Sequence, residues 1–559
     1  MALLDKPSEA APDKPTGNSP GDMNKSASNI IYSGATELST NASFDGESFS
    51  SSDGGENALL ITGGEISLSN VSINKTGGES GEDSDFYGTN AAVLVTGGSA
   101  NIKGGTITTA GAHANALFAY GDGVIDALDT KITTSGDNSG GIMVTGGGTF
   151  AAENLAVSTS GNSSAAIRSD RGGGEITVEG GDYKTSGVGS PVVYSTADIY
   201  IQNGAHLTST SSEGIVIEGS NRVSLEDTTL TATNNSLNGN SETYKSIFIY
   251  QSMSGDAEEG VGTFSADRSL ITTNKGDTFF ITNTTAEINL SENKFVNSDA
   301  DSAFLRAGAG KWGTAGANGG KVKLGLSEQV VEGDIVLDEV SSLSFEMLNE
   351  SFYKGKINST NSSDSVILAL DESSTFVLTG DTYLTSLKNI DADNTNIYSN
   401  GFKLFVNGIE ARINTAEAPA VPEVNLTVAE YTATGTISDA ILVTTPAEKC
   451  LGMLNGKCTD TENLIPLCVG AGSILLIIVC IIILIARGKK KGKVPPVSPE
   501  TTPSENPFRD TVSPLPTPKT PENEPQKTPA SSEPTNSPDS KPEPETPTHS
   551  EPESPDFLK

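Results

Sequence analysis

The sequence predicts an all-β fold, a parallel β-helix solenoid of about 25 residues per coil, together with one transmembrane α-helix and disordered termini. Three observations point to it: short aliphatic runs at near-constant spacing, glycine turns between strand-length stretches, and the exclusion of proline from the repeat.

The aliphatic runs start at Asn57 (Asn-Ala-Leu-Leu-Ile), Ala91, Asn115, Gly140, Ala165, Ser190 and Glu213, and after a longer first step they recur about every 25 residues. Further runs begin near Lys245, Thr278 and Ser302. A fixed period with occasional insertions is the pattern of stacked coils with loops on one side. Within the period Ala91 to Asn115, the stretches Ala-Val-Leu-Val-Thr, Ser-Ala-Asn-Ile-Lys and Thr-Ile-Thr-Thr are punctuated by Gly97-Gly98, Gly104-Gly105 and Gly111. Three short strands per period, bounded by glycines, describe one coil of a parallel β-helix. Pro191 is the sole proline between residues 21 and 418, as a ladder that uses every N–H demands. One coil buries side chains worth roughly 10 kcal/mol at best, against about 1 kcal/mol or more per residue to order its backbone. Stability must therefore come from stacking.

The chain divides accordingly. Residues 1–28, with four prolines, read as disordered, and residues 29–414 as the β-helix, its coils becoming irregular after about residue 320. Residues 415–463 turn to Ala, Pro, Thr and Val without the glycine rhythm and read as a stalk. The segment 464–486 reads as the transmembrane helix and 487–559 as a disordered proline-rich tail.

All four cysteines, Cys450, Cys458, Cys468 and Cys480, follow the repeat region. Thiol catalysis and a cysteine zinc site are thereby excluded from it. Cys450 and Cys458 close a short loop, for which a disulfide is expected in an oxidising compartment, with two free thiols as the alternative.

From Leu464 to Ala486 the chain carries no charge, a stretch long enough to cross a hydrocarbon core of about 30 Å as a helix. Arg487, Lys489, Lys490, Lys491 and Lys493 follow as a stop-transfer cluster. The positive-inside rule then places the tail in the cytoplasm and the β-helix outside a plasma membrane, with the lipid bilayer as partner. An outside domain expects a signal peptide, yet the chain reads Met-Ala-Leu-Leu and reaches Asp5 and Lys6 before an apolar core can form. The expectation is that the natural start lies upstream.

The net charge is −36, with 25 Lys and Arg against 59 Asp and Glu before residue 487. Such a surface repels nucleic acid. Twelve Asn-x-Ser/Thr sequons run from Asn24 to Asn425, all before the apolar segment, and predict a glycoprotein. The tail from Val494 to Lys559 holds 18 of the chain's 27 prolines and cannot form a core. Within it, Asn506, Pro507, Phe508, Arg509 and Asp510 look like an NPF or NPFxD endocytic signal, in which an Asn-Pro turn offers one Phe to a cytoplasmic adaptor pocket.

Thr-Gly-Gly after an aliphatic strand, at Thr62-Gly63-Gly64, Thr96-Gly97-Gly98 and Thr145-Gly146-Gly147, and the stretch from Asn162 to Gly174, carry a resemblance. Over about residues 50–410 the chain resembles right-handed β-helix surface proteins of the adhesin or polymorphic-outer-membrane-protein type. The resemblance implies an exposed adhesive or structural rod, with an extracellular protein or carbohydrate as ligand. It carries no catalytic residue and no cofactor.

The rival is a membrane-tethered polysaccharide lyase or hydrolase. Polygalacturonase-like chemistry needs clustered carboxylates and a Gly-His-Gly signature, which His113, His206 and His549 do not supply. Lyase chemistry needs calcium-binding Asp and an Arg base, for which Arg168, Asp170 and Arg171 are the tempting group. Asp122, Asp126 and Asp129 lack the Gly-Gly-x-Gly-x-Asp repeat of a calcium solenoid, and Trp312 is as well suited to capping a coil as to stacking on a sugar. The discriminating feature is geometric: three acidic side chains converging beside Arg168 would favour the enzyme.

Overall fold

A computed structural model describes residues 30–237 and 243–433, together with the short strands Met453–Leu454 and Lys457–Cys458. All of these belong to one compact unit. The repeat region is a parallel β-solenoid of about 15 turns at about 25 residues per turn. Three parallel sheets of 12, 14 and 10 strands carry it. The coil of Val93–Val95, Ser99–Lys103 and Thr106–Thr109 stacks on that of Leu117–Tyr120, Val124–Leu128 and Lys131–Thr134, pairing Val93 with Leu117, Ser99 with Val124 and Thr106 with Lys131. These are the three stretches that the glycine punctuation marks in the sequence.

Second- and third-sheet strands alternate inward and outward, as Thr106–Thr109 does with Ile107 and Thr109 buried. Inward residues stack in register from coil to coil, for example Ile125, Phe150, Ile176, Ile199 and Val223. First-sheet strands such as Val93–Val95 and Ile142–Thr145 are buried throughout, which means that something covers their outer face too.

The corner from second to third sheet is tight. Asn70, Gly104, Asp129, Asn154, Gly180, Asn203 and Asp227 turn it in the left-handed region, with φ between 48° and 66°. Glycine, Asn and Asp enter this region at least cost. The corner from third to first sheet is held by a buried polar ladder. The Ser139 N–H donates to Ser164 Oγ and the Ser164 N–H to Ser190 Oγ, each at 2.9 Å. Thr134, Thr159 and Thr185 donate to the carbonyls of Ser139, Ser164 and Ser190 at 2.7, 2.6 and 2.7 Å. Small hydroxyls thus satisfy backbone groups that the ladder leaves over.

The insertions fall on both edges of the first sheet, not on one side. Residues 76–92 and 233–244 precede first-sheet strands Val93–Val95 and Lys245–Tyr250, whereas 251–260 and 308–319 follow first-sheet strands. At the far end, Leu404–Val406 and Ile409–Glu410 pair antiparallel and close the stack.

Among the described residues no helix is long and apolar enough to cross a membrane. The expected transmembrane helix 464–486, the cluster Arg487, Lys489, Lys490, Lys491 and Lys493, the motif Asn506, Pro507, Phe508 and Asp510, and the N-terminal 1–28 lie outside the described residues. Cys450 does as well, whereas the backbone of Cys458 pairs with Met453 in a two-strand antiparallel hairpin. Within the segment expected as a stalk, Tyr431 and Thr432 pack against the solenoid through Glu153 and Asn203.

Candidate functional site

The outer row of the first sheet, one residue per coil, reads Leu94, Phe118, Met143, Arg168, Tyr194, Val216, Phe248 and Phe280. Its early part is apolar and covered: Leu60, Ala91, Leu94, Phe118 and Met143 form a second core with Tyr32 and Tyr120 against it. The insertion 76–92 contributes the short helix Asp83–Tyr87, whose Tyr87 meets Tyr120 edge-on at 5.7 Å.

Where the row changes from Met143 to Arg168, charge converges. Arg168 lies 3.5 Å from Asp85 of the helix and 3.1 Å from Asp170. Asp85 also meets His113 Nδ1 at 2.8 Å. The Arg171 amide donates to Asp170 at 3.0 Å, and its side chain donates to Asp256 of the 251–260 insertion at 2.5 Å while lying 3.8 Å over the Phe86 ring. Further along the first sheet, Glu218 accepts from Tyr194 at 2.5 Å, from Tyr250 at 2.8 Å, and from Ser252. Trp312 lies 5.8 Å from Tyr250.

The cluster is buried. The Arg168, Asp170 and Asp85 side chains are 12%, 8% and 9% exposed, and Glu218 is buried too. Burial pushes the Asp170 carboxyl up to about 7; Arg168 opposes this, and the Asp256 and Asp85 charges reinforce it. The hydrogen bond to Asp85 raises His113. Burial holds the Tyr194 and Tyr250 hydroxyls well above their ordinary value.

Arg168, Asp170 and Arg171 are therefore brought together, as their spacing suggests. Two acids reach Arg168 itself, and the third, Asp256, reaches Arg171 instead. Nothing local in the sequence marks Asp85, His113, Glu218 and Asp256 as partners, because they come from other coils and from insertions. The acidic insertion Glu79-Ser-Gly-Glu-Asp-Ser-Asp85 is the one available signal. Asp122, Asp126 and Asp129 do not converge on a cation: Asp129 turns a corner and accepts from Asn154 at 2.7 Å. No group of residues able to hold a metal occurs among the described residues. His206 pairs with Thr229 at 2.7 Å.

No protein-family model, curated protein or solved structure matches the chain.

Proposed function

We propose that this chain is a non-enzymatic single-pass surface protein whose right-handed β-helix is an adhesive or structural rod outside the plasma membrane. Its ligand is an extracellular protein or carbohydrate. The 464–486 helix anchors it, the flanking Arg487, Lys489, Lys490, Lys491 and Lys493 set its orientation, and Asn506, Pro507, Phe508 and Asp510 engage an endocytic adaptor. The observation that carries the non-enzymatic part is that Asp85, Asp170 and Asp256 are each tied to an arginine, the first two in a buried setting. A catalytic carboxylate must reach its substrate, and these instead hold the helix Asp83–Tyr87 and the 251–260 insertion against the first sheet.

Staining intact cells that express the chain with a tag at each end tests the topology. An accessible N-terminal tag and a hidden C-terminal tag are expected; the reverse result overturns the orientation. Phe508→Ala is expected to lengthen surface residence.

The second reading, a membrane-tethered polysaccharide lyase or hydrolase, is favoured by one feature: a carboxyl held near pH 7 beside an arginine and a second acid is the environment of an acid–base catalyst. Cleavage of a polyuronide by the chain that Asp170→Asn abolishes would replace the first reading by this one.

A further inference from the structure

The corner between the second and third sheets carries a side chain on most coils, among them Asp129, Asn154, Asn203 and Asp227. Gly180 interrupts that column, and Gly204 follows Asn203 one coil on. Tyr431 sits in the gap. A Cβ on Gly180 would lie 2.2 Å from Tyr431 Cδ2, and one on Gly204 2.5 Å from the Tyr431 nitrogen. The site is also polar-matched: the Tyr431 hydroxyl donates to Glu153 at 2.7 Å. Asn203 donates to the Thr432 carbonyl at 3.1 Å and accepts from the Thr432 N–H at 3.4 Å. A side-chain amide meeting both backbone groups of one residue reads an extended peptide much as a sheet edge does.

We infer that this glycine-floored notch is a docking site for an extended tyrosine-bearing peptide, that its occupant is the chain's own 415–433 segment, and that it fixes where the tether leaves the solenoid. The last clause rests on the membrane-anchored reading; the docking itself does not. In the second sheet the notch lies seven strands before the final one, Ser386–Asn389, a distance of about 34 Å at the usual strand spacing. The roughly 17 residues from Asn414 to Tyr431 span up to about 58 Å when extended, so the segment returns along the stack with slack. With the latch closed the chain leaves the solenoid after residue 433, and with it open after residue 414. Opening the latch moves the attachment point by about 34 Å along the solenoid. The latch therefore governs which part of the rod is held near the membrane, and closed it leaves both ends of the rod free of the tether.

The test uses the full chain on expressing cells, with Gln202→Cys, beside the notch but outside its contacts to the segment, and Thr432→Cys, whose contacts are through its backbone, joined by a short thiol-reactive cross-linker and the linked peptides identified by mass spectrometry. A 202–432 link at least ten-fold above an Asn74→Cys/Thr432→Cys control, lost on adding Tyr431→Ala, is expected. Equal yields in the two pairs, insensitivity to Tyr431→Ala, or links formed only between two differently tagged copies would overturn the latch. A chain found off the membrane with the link intact supports the docking and removes the anchoring reading alone.

Discussion

At the scale of single residues, Asp170 is the most informative side chain. Its carboxyl, held at about 7 in the fold, stands above its ordinary 3.8, so proton binding favours the folded state. That contribution is complete below about pH 4 and is lost as pH rises through 7. His113, also raised, loses its contribution in the same direction. The chain is therefore expected to be more stable at pH 5 than at pH 8 by on the order of 2 kcal/mol from Asp170. Asp170→Asn, which fixes the uncharged form, is expected to flatten the difference in thermal unfolding; a profile identical to the parent would refute this. The corner column offers a second contrast: most coils use Gly, Asn or Asp there, but Arg268, Glu292 and Glu328 hold φ of 44°, 54° and 53°. Such residues carry about 1 kcal/mol or more of local strain, which at Arg268 is offset by pairing with Glu226, Asp227 and Asp267.

At the scale of elements, the coils are joined by ladders of small side chains as well as by their strands. Ser164 Oγ accepts from the Ser139 N–H and donates to the Gly136 carbonyl at 3.1 Å. Ser164→Ala would leave a buried N–H unpaired, at a cost of about 1–3 kcal/mol. The measurement is the denaturation midpoint alongside Ser158→Ala on the exposed face of the same coil, where a change of less than about 0.5 kcal/mol is expected; equal losses would deny the ladder its role. The insertions behave as elements too. The helix Asp83–Tyr87 is far too short to persist alone, and it is held by Asp85 on Arg168 and His113 and by its Phe86 carbonyl, which accepts from Thr145 at 2.7 Å.

At the scale of the whole molecule, the solenoid sorts the sequons by where they fall. Asn74, Asn162 and Asn361 are exposed. Asn234 and Asn358 are buried, and their amide nitrogens donate to the Lys245 and Ser363 carbonyls at 2.7 and 3.1 Å. If the rod lies outside the membrane as proposed, glycopeptide mapping of the chain from glycosylating cells is expected to find glycans on the first three and none on the last two. Occupied Asn234 or Asn358 in folded protein would contradict the packing. The coil period, the three strands per coil and their approximate bounds are legible in the sequence because burial alternates along the second- and third-sheet strands and glycine marks the turns. The site is legible only in part: Arg168, Asp170 and Arg171 are close neighbours in the chain, but Asp85 and Asp256 reach them from insertions in distant coils, one well before and one well after.

The order of amino acids is enough to specify the solenoid, because a repeated pattern of inward side chains and turn residues leaves few other ways to bury a core. It also specifies the charge and the apolar segment 464–486, which are properties of composition. Folding in three dimensions settles the rest: which charges meet, which face of the first sheet the insertions cover, and that Tyr431 returns to Gly180 and Gly204. Stacking sets which coils are neighbours, but the path of an irregular insertion or tether has no period, so nothing local in the chain encodes its partner.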